Sequence, residues 1–338
     1  MRLIKTEDAV GHVLCHDMTQ IIKDQYKDAR FRKGHVVTEE DIPVLLSMGK
    51  EHLYVWEMTP GMVHENDAAE RLLALCGQEN MIRSGVKEGK IELKAACDGV
   101  FLVDSARLVA VNSQDEVMIA TRKGGMAVRE GDKLAGMRVI PLIEEEKLRK
   151  AEQAAGDKPL LSLKPYVRKT ACIVATGGEV KKGLIKDTFT PVVIDKLKTY
   201  GIETLEVVYS GDGVENVRDA VLAMREKKPD MILCTGGMSV DPDDNTPGGI
   251  KAAGANIIAY GAPVLPGAMF LLGYFDDGMP VMGLPGCVMY AGATVFDLVL
   301  PKIAADVPVT RADLAALGEG GLCLGCKPCH YPICPFGK

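Results

Sequence analysis

Between residues 170 and 300 the sequence alternates short apolar strands with helices. The apolar runs at 171–175 and 231–234 both end in Thr-Gly-Gly. Strands that are apolar at every position are typical of a parallel sheet covered on both faces. The pattern therefore predicts an α/β fold with a doubly wound, mostly parallel sheet. Further strands are predicted over 203–209 and 281–284, and helices over 188–200, 214–227 and near 287–300.

The first 160 residues predict a smaller mixed domain that is rich in strands. A short helix is expected over 41–49, with Thr38 as its N-cap and Asp41 three residues on, and an amphipathic helix is expected over 65–77. A charged helix begins at residue 144, and the main linker is expected at about 151–167. Strands are predicted over 53–56, 91–94, 99–103, 108–111, 117–120 and 137–140. We expect the strands from residue 91 on to form a small sheet or open barrel.

Length and charge narrow the class of protein. A chain of 338 residues suits two domains, and the predicted divisions are 1–160, 165–308 and a cysteine-rich tail over 309–338. The net charge of −6 leaves no basic excess to neutralise phosphates, which argues against a nucleic-acid binder held by charge. No segment has the pattern of a signal peptide or a membrane span, so we expect a cytoplasmic protein without a membrane partner.

Three glycine turns follow strands of the predicted sheet. In such sheets, ligands bind outside the carboxyl ends of the strands. Glycine lets the backbone approach a ligand closely, and helix N-termini offer N–H groups to anions. The turns therefore predict a site for a phosphorylated ligand, with a purely geometric role for each glycine as the alternative. The turns are Thr176-Gly177-Gly178, Thr235-Gly236-Gly237-Met238-Ser239 and Leu284-Pro285-Gly286.

Aspartates stand beside these turns. Asp187 precedes the first helix, Asp212 follows the second strand, and Asp241, Asp243 and Asp244 follow the second Thr-Gly-Gly turn. Carboxylates beside phosphate-binding backbone are favourable when they hold a divalent cation or accept hydrogen bonds from the ligand. Helix capping is the alternative for Asp187 and Asp243, whereas the dense acidic turn favours a functional role for Asp244.

Segment 170–304 carries a specific series of motifs, which covers about two fifths of the chain. In order they are Thr176-Gly177-Gly178-Glu179-Val180, Gly183-Leu184-Ile185-Lys186-Asp187-Thr188, Asp212, the run 230–240, Asp244, Pro266-Gly267 and Gly283-Leu284-Pro285-Gly286. With this series the segment resembles the molybdopterin-binding domain. That domain is shared by molybdopterin molybdotransferases, molybdopterin adenylyltransferases and the competence-damage-inducible nucleotide hydrolases.

The resemblance implies a ligand, a reaction and partners. The ligand would be molybdopterin, adenylylated molybdopterin or the finished molybdenum cofactor, and the reaction would be molybdate insertion by a transferase. Asp187, Asp212 and Asp244 would hold Mg²⁺ or the adenylate end. A homo-oligomer, dimer or trimer, and a molybdoenzyme as recipient are implied as partners. The residues implied to contact pterin and phosphate are Thr176, Gly177, Gly178, Glu179, Thr235, Gly236, Gly237, Met238, Ser239, Pro266, Gly267, Leu284, Pro285 and Gly286.

Within the superfamily, the motifs divide between branches. Ser239-Val240, the two Pro-Gly motifs and the upstream string at 32–37 resemble the molybdotransferase branch. That branch has a lysine after the first Pro-Gly, where this chain has Ala268, and Asn-Pro after Leu-Pro-Gly, where it has Cys287-Val288. The missing lysine favours a non-catalytic carrier of the cofactor. The run Asp243-Asp244-Asn245-Thr246 resembles the hydrolases and favours a nucleotide pyrophosphatase.

The ten cysteines form two groups. Six are scattered between Cys15 and Cys287, and most are expected to be buried and reduced. Cys287 is expected to have a space-filling role. The alternative is a reactive thiol, because Cys287 is expected at a helix N-terminus, where the pKa of a thiol falls.

The other four cysteines lie within the last sixteen residues. Their spacing is close to the bacterial ferredoxin run, with one extra residue before the last cysteine, and predicts a [4Fe–4S] cluster or Zn²⁺. Replacement of one thiolate by His330 and a metal-free tail are the alternatives. The predicted ligands are Cys323, Cys326, Cys329 and Cys334.

Overall fold

The computed structural model describes residues 2–22, 26–55, 61–139, 142–239 and 244–338. They divide into two compact units. The first comprises residues up to 96, 103–124 and 130–162, and the second comprises 97–102, 125–129 and 163–338. The C-terminal residues 309–338 thus belong to the second unit. Within the described ranges, no helix combines the length and the apolar character needed to cross a membrane.

The elements up to residue 165 are mostly short strands. The strands are β1 Arg2–Lys5, β2 Met18–Ile22, β3 Tyr26–Phe31, β4 His52–Val55, β5 Met62–His64, β6 Met81–Arg83, β7 Lys90–Ala95, β8 Gly99–Val103, β9 Val117–Thr121, β10 Met126–Val128, β11 Lys133–Val139, β12 Leu142–Glu144 and β13 Leu161–Pro165. The helices are α1 Asp41–Ser47, α2 Glu65–Cys76, α3 Ser105–Asn112 and α4 Glu145–Ala155.

The largest described sheet of the first unit is antiparallel, in the order β6-β7-β11-β9. Along β7 the side chains of Ile91 and Leu93 are buried while those of Lys90 and Lys94 are exposed, as expected for a sheet with one covered face. Helix α2 packs on β7 and β11 and buries Leu72 among its apolar residues. A separate apolar cluster, which includes Leu14, Leu45 and Leu53, forms among the residues from Ile4 to Val55.

Several predicted elements of this region are found with small changes of boundary. The Asp41 carboxylate accepts hydrogen bonds from the backbone N–H and the hydroxyl of Thr38, both at 2.8 Å. The N-cap of α1 is Glu40, however, so the prediction of Thr38 as the N-cap is wrong. Helix α2 ends before Gly77, which has a positive φ of 71°. Strand β4 ends at Val55, and residues 56 and 140 of the predicted strands lie outside the described residues.

Two further predictions for this region are wrong. The segment 108–111 was expected to be a strand but lies within α3, whose first turn is capped by Asp104 Oδ1 accepting from Arg107 N at 3.1 Å. The expected linker at 151–167 contains the end of α4 and the strand β13, which lies next to β8 in the order β10-β8-β13. Tyr166, directly after β13, donates its hydroxyl to Gly99 O at 2.9 Å.

The remaining elements alternate between strands and helices. The strands are β14 Thr170–Thr176, β15 Glu203–Ser210, β16 Met231–Thr235, β17 Asn256–Tyr260, β18 Leu271–Tyr274 and β19 Pro280–Leu284. The helices are α5 Gly178–Lys181, α6 Phe189–Lys198, α7 Val214–Glu226, α8 Thr246–Ala252, α9 Val295–Ala304 and α10 Arg311–Ala316.

The sheet of the second unit confirms the predicted α/β fold class. Its order among the described strands is β15-β14-β16-β19-β18-β17, and the first four strands are parallel. Strands β18 and β17 continue the sheet in antiparallel pairing. Neighbouring residues of one strand point to opposite faces, so Ile173 joins an apolar cluster with α6 and α9, while Cys172 and Val174 join one with α7 and α8. Both faces are therefore covered by helices.

The segment after β19 differs from the expected helix near 287–300. A single 3₁₀ turn spans Gly286–Met289, and α9 begins only after Thr294. Thr294 and Asp297 form a capping box. The Thr294 side chain accepts a hydrogen bond from the backbone N–H of Asp297, and the Asp297 side chain accepts one from the backbone N–H of Thr294. The chain therefore leaves the sheet in a short turn and starts its helix several residues later.

Candidate functional site

The ends of four parallel strands lie side by side in the second unit. Thr176 at the end of β14 pairs with Ser210 of β15, and Ala175 pairs with Thr235 of β16. Thr235 pairs in turn with Leu284, the last residue of β19. The three glycine turns follow these residues directly, so the register brings them to one edge of the sheet. We call it the carboxyl edge.

The hydroxyls of Thr176 and Thr246 form a buried hydrogen-bond network at this edge, with the backbone carbonyl oxygen of Thr235 as one acceptor. The hydroxyl of Thr176 donates to the carbonyl oxygen of Thr235 at 3.0 Å and lies 3.1 Å from the hydroxyl of Thr246. The hydroxyl of Thr246 donates to Gly236 O at 2.9 Å. All three side chains are buried, and hydrogen-bonded hydroxyls avoid the penalty of burying a polar group. The network ties the first two turns to the start of α8.

Two glycines of the second turn are required by the backbone and by crowding. Gly236 has φ of +81° and Gly237 has φ of +55°, in the left-handed region that favours glycine. A Cβ at Gly236 would overlap the carbonyl oxygen of Thr176, and one at Gly237 would lie 2.7 Å from the hydroxyl of Thr246. The geometric role that the sequence left open therefore applies to both, and the close approach of the two turns depends on it.

The side chain of Met238 is not available to a ligand. Its side chain is buried against Gly283, so it belongs to the apolar core. The hydroxyl of Tyr260 donates to Met238 O at 3.0 Å, and the backbone N–H of Ser239 donates to Asp244 Oδ2 at 2.9 Å. Burial, followed by the nearby carboxylate of Asp244, raises the pKa of Tyr260. The Met238-Ser239 end of the second glycine turn is thus held by Tyr260 and by Asp244.

Asp212 fixes the first turn in the same way. Its Oδ2 accepts a hydrogen bond of 2.9 Å from the backbone N–H of Gly178, and the Asn216 amide donates to its backbone carbonyl oxygen at 2.6 Å. Glu179, the next residue of the turn, has an exposed side chain. The carboxylate of Asp212 therefore sits on an N–H group that the sequence assigned to the phosphate of a ligand.

Asp187 lies at the start of α6. Its Oδ1 accepts from the backbone N–H groups of Phe189 at 2.9 Å and Thr190 at 3.0 Å, and its Oδ2 accepts from the hydroxyl of Tyr209 at 3.2 Å. Partial burial raises the pKa of Asp187, but the hydrogen bonds outweigh it, so the pKa lies below its ordinary value. The capping role that the sequence left open for Asp187 is thus present.

The three aspartates do not assemble a cation site in this structure. In the described parts of the chain, no three His, Cys, Asp or Glu side chains are grouped so that they could hold a metal ion. Asp212 and Asp244 each accept from a turn N–H, and Asp187 caps a helix. The arrangement does not fit Mg²⁺ held jointly by the three carboxylates. Asp241 and Asp243 lie outside the described residues.

A lysine that the sequence analysis did not single out lies beside this edge. The side chain of Lys181, in the one-turn helix α5, reaches the loop after β15, where a Cβ at Gly211 would lie 3.9 Å from its Nζ. Lys181 is exposed, and its positive charge lies beside the loop after β15, whose Asp212 accepts a hydrogen bond from the Gly178 turn. The signal in the sequence was a lysine three residues after Gly178, but its position against the loop after β15 depends on the tertiary fold.

The pair Pro266-Gly267 lies against the start of α9. Pro266 O accepts from the backbone N–H of Val295 at 3.3 Å, and a Cβ at Gly267 would lie 2.6 Å from Val295 Cγ1. The preceding residue, Leu265, donates its backbone N–H to Gly321 O at 2.8 Å. These contacts give the pair a structural role next to the C-terminal residues.

The space-filling role predicted for Cys287 agrees with the structure, and the alternative of a lowered pKa at a helix N-terminus is wrong. Leu284-Pro285-Gly286 leads into a single 3₁₀ turn rather than a helix. Burial, with a smaller contribution from the charge of Asp297, raises the pKa of the half-buried Cys287 thiol. Burial also raises the pKa of Cys234 to about 12. These thiols lack the electropositive surroundings of a reactive cysteine.

The four C-terminal cysteines are free thiols that differ in exposure. Cys323 and Cys334 are half-buried against the apolar cluster of α6 and α9, whereas Cys326 and Cys329 are exposed. The Sγ atom of Cys329 lies against the backbone of Gly292, in the segment between β19 and α9. The predicted ligands therefore lie on the second unit, next to the segment that follows its third glycine turn.

The fold and the carboxyl edge define a class, the open α/β domains that present glycine turns at the ends of parallel strands. Within that class, residues 172–305 match the family model described as "Probable molybdopterin binding domain". The segment is therefore similar to that family over about two fifths of the chain. Residues 3–57 match a second family model, a domain of unknown function (DUF8806).

Known proteins similar to this chain share only part of it. A CinA-like protein of Mycobacterium tuberculosis (strain ATCC 25177 / H37Ra) is 33% identical over 76 residues, which are 22% of this chain and 18% of that protein. The chain thus spans less than a fifth of the length of this curated relative. The molybdopterin biosynthesis enzyme MoaB of Thermus thermophilus is 16% identical, with a TM-score of 0.36, over 42% of this chain and 98% of that one. A molybdenum cofactor biosynthesis protein of Pyrococcus furiosus is 13% identical, with a TM-score of 0.27, over 93% of this chain and 64% of that one.

Proposed function

We propose that the second unit binds molybdopterin, free or adenylylated, at its carboxyl edge and takes part in molybdenum cofactor assembly by inserting molybdate. The observation that carries the proposal is the register that places three glycine turns side by side, within a segment that matches the molybdopterin-binding family. Ligands of doubly wound sheets bind at this kind of edge. The residues that the sequence analysis assigned to pterin and phosphate remain the proposed contacts, with Met238 contributing its backbone.

The charges at the edge suit a ligand with both phosphate and hydrogen-bond donors. Lys181 supplies positive charge beside the Gly178 turn, where the phosphate of the ligand would bind. Asp212 and Asp244 hold the two turns through backbone N–H groups and keep acceptor capacity for pterin N–H or ribose hydroxyl groups. In this proposal Lys181 provides the positive charge that the lysine missing after Pro266-Gly267 would otherwise supply. No step of the proposal depends on Mg²⁺, because the carboxylates do not fit it jointly.

Two other functions rest on specific observations. Ala268 in the place of the branch's lysine favours a carrier that binds the cofactor and delivers it to a molybdoenzyme. Asp244 and Thr246, together with the similarity to CinA-like proteins, favour a nucleotide pyrophosphatase. In each case the ligand would occupy the same carboxyl edge.

We also propose that the chain forms a homo-oligomer. The edge strand β15 exposes Leu205 and Tyr209, and in this proposal it takes part in the contact between copies.

One assay separates the three functions. The full chain is incubated anaerobically with adenylylated molybdopterin, with and without molybdate and Mg²⁺, and AMP release is followed by chromatography. AMP release that requires molybdate is the expected result. Tight binding without turnover supports the carrier, and hydrolysis of free dinucleotides without molybdate supports the pyrophosphatase. Absence of both binding and turnover contradicts the assignment of the ligand.

A further inference from the structure

Strand β15 lies at one end of the sheet of the second unit. Among the described strands it pairs only with β14, so within the described chain the other side of its backbone is unpaired. The register with β14 is regular from Glu206 to Ser210, and Ser210 O accepts a hydrogen bond of 3.3 Å from the backbone N–H of Gly177. Because successive residues of a strand turn their backbone groups to alternate sides, those of Val207 and Tyr209 face away from β14. This edge therefore offers two N–H and two carbonyl groups to another strand.

The side chains along this edge are apolar and partly exposed. Val207 packs against the apolar cluster of α6 and α9, whereas Leu205 and Tyr209 are 44% and 42% exposed. A groove of about 600 Å³ lies between β15 and α6 and is lined by residues of both elements. Soluble proteins commonly protect an exposed edge with proline, lysine or a bulge. Strand β15 has no proline or lysine, and its one irregularity precedes the regular stretch 206–210, so this stretch is open to a partner strand.

We propose that β15 pairs with β15 of a second copy, antiparallel and about a twofold axis that passes beside Val208. In this register Val207 lies opposite Tyr209 of the second copy, and Tyr209 lies opposite Val207 of the second copy. Each pair exchanges two backbone hydrogen bonds, so the four outward groups of each copy are all used. The sheet then continues from one copy into the other. This contact rests on the homo-oligomer of the proposed function, but not on the identity of its ligand.

Charge and side-chain type favour a second copy in this register. Glu206, whose carboxylate lies 3.0 Å from the ammonium of Lys227, comes opposite the uncharged Ser210 of the second copy. An axis at Glu206 would instead place two carboxylates opposite each other, which is unfavourable. Val207 and Tyr209 combine a β-branched with an aromatic side chain, which is a favourable cross-strand pair. The same strand therefore supplies both members of each pair, as an isologous contact requires.

The test is amide hydrogen exchange of the full chain at several concentrations, with the mass followed by sedimentation equilibrium. We expect a dimer in which the amides of Val207 and Tyr209 are protected, and a loss of that protection on dilution to the monomer. The amides of Glu206 and Val208 face β14 and should stay protected at every concentration. A dimer whose Val207 and Tyr209 amides exchange rapidly would overturn the proposal. A trimer would also overturn it, because a twofold contact closes at two copies.

Val207→Pro tests the same contact without dilution. Proline removes the outward N–H of residue 207 and leaves the N–H groups of Glu206 and Val208 to β14, so an edge strand tolerates it. We expect Val207→Pro to be a monomer, whereas the matched control Val207→Thr keeps the N–H and the branched shape and stays a dimer. Circular dichroism reports folding, and the exchange pattern of the wild type decides if Val207→Pro does not fold.

The remaining outcomes separate this contact from the ligand. A folded Val207→Pro that stays a dimer would overturn the pairing. A wild-type chain that is monomeric at every concentration would also overturn it and leave the edge to a strand of another protein. Calorimetry with adenylylated molybdopterin on the same samples tests the ligand by itself. A protected dimer that does not bind this ligand would contradict the proposed ligand and support the pairing of β15.

Discussion

The carboxylate of Asp212 accepts a hydrogen bond of 2.9 Å from the backbone N–H of Gly178. Asp212 follows β15 and Gly178 follows β14, so this bond joins the loops after two neighbouring strands. A charged acceptor on a backbone N–H makes a stronger hydrogen bond than a neutral one. The first glycine turn is therefore held in shape by a side chain from the next strand, before any ligand binds.

Replacement of Asp212 by Ala should weaken binding of adenylylated molybdopterin by about tenfold, because the Gly178 turn loses its anchor and the ligand loses an acceptor. Asp212→Asn keeps an acceptor for the Gly178 N–H and should cost less. Titration calorimetry under anaerobic conditions measures both. Asp219→Ala, on the exposed side of α7, is the matched control. Equal affinity of Asp212→Ala and wild type would remove Asp212 from the site.

Replacement of Gly236 by Ala should lower the free energy of unfolding by more than about 2 kcal/mol, because a positive φ is combined with overlap of the Thr176 carbonyl oxygen. Gly254→Ala is a matched control, since it has φ of +94° but nothing within 4 Å of the added Cβ. It should cost about 1 kcal/mol from the backbone alone. Urea unfolding measures the two values, and equal losses would mean that crowding at the second turn is unimportant.

The sequence predicts this edge well because each strand carries its own signal. The runs at 171–175 and 231–234 are apolar throughout, and each is closed by its own Thr-Gly-Gly, so neither depends on distant residues to be recognised. Tyr260 could not be found in the same way. Its hydroxyl reaches Met238 O from the antiparallel edge of the sheet, a contact that only the tertiary fold defines.

The two wrong strand predictions up to residue 165 have different causes. Leu108, Val109 and Val111 read as a strand because β-branched residues favour strands. In the structure Val109 is 65% exposed while Val111 is buried, within a helix that Asp104 caps. Asp104, which caps the helix before the apolar run, was the sequence signal for a helix. It outweighed the preference of Val109 and Val111 for a strand. The strand β13 was missed because its five residues include Lys164 and Pro165 and gain stability through the neighbouring β8.

Replacement of Lys181 by Ala should weaken binding of the phosphorylated pterin several-fold and reduce the dependence of affinity on salt, because one cation beside the phosphate is lost. The measurement is the dissociation constant at low and at high ionic strength. Lys198→Ala, an exposed lysine at the end of α6 that pairs with Asp195, serves as the control for net charge. Parallel salt dependences for wild type and Lys181→Ala would exclude contact between Lys181 and the ligand.

Cys287 should react slowly with iodoacetamide at pH 7, because burial and the charge of Asp297 raise the pKa of its thiol. Peptide mapping by mass spectrometry would give its rate in the folded chain, in the chain unfolded by urea, and relative to glutathione. The folded chain should show the lowest rate of the three. Cys287→Ser should leave ligand affinity unchanged. An alkylation rate of Cys287 in the folded chain above that of glutathione would show that the thiol is activated.

The effect of Asp187 on stability should depend on pH with a definite sign. Its pKa in the folded chain lies below the ordinary value of 3.8, because the hydrogen bonds from Thr190, Phe189 and Tyr209 outweigh its burial. Near pH 7 the carboxylate is ionised in both the folded and the unfolded chain, so its contribution is fully present. As the pH falls below 3.8 the unfolded chain takes up the proton first, and the contribution is lost as the pH falls through the folded pKa.

Asp187→Ala should therefore lower the free energy of unfolding by about 1 kcal/mol at pH 7, the usual cost of losing a helix cap, and by progressively less as the pH falls below 3.8. Urea unfolding of both chains at several pH values gives the difference directly. Asp195→Ala, which changes an exposed carboxylate on the same helix, should have little effect at pH 7. If folded Asp187→Ala loses AMP release but keeps its stability, Asp187 is a catalytic residue and not only a helix cap. A helix cap acts through α6, so it cannot alter turnover while the stability stays unchanged.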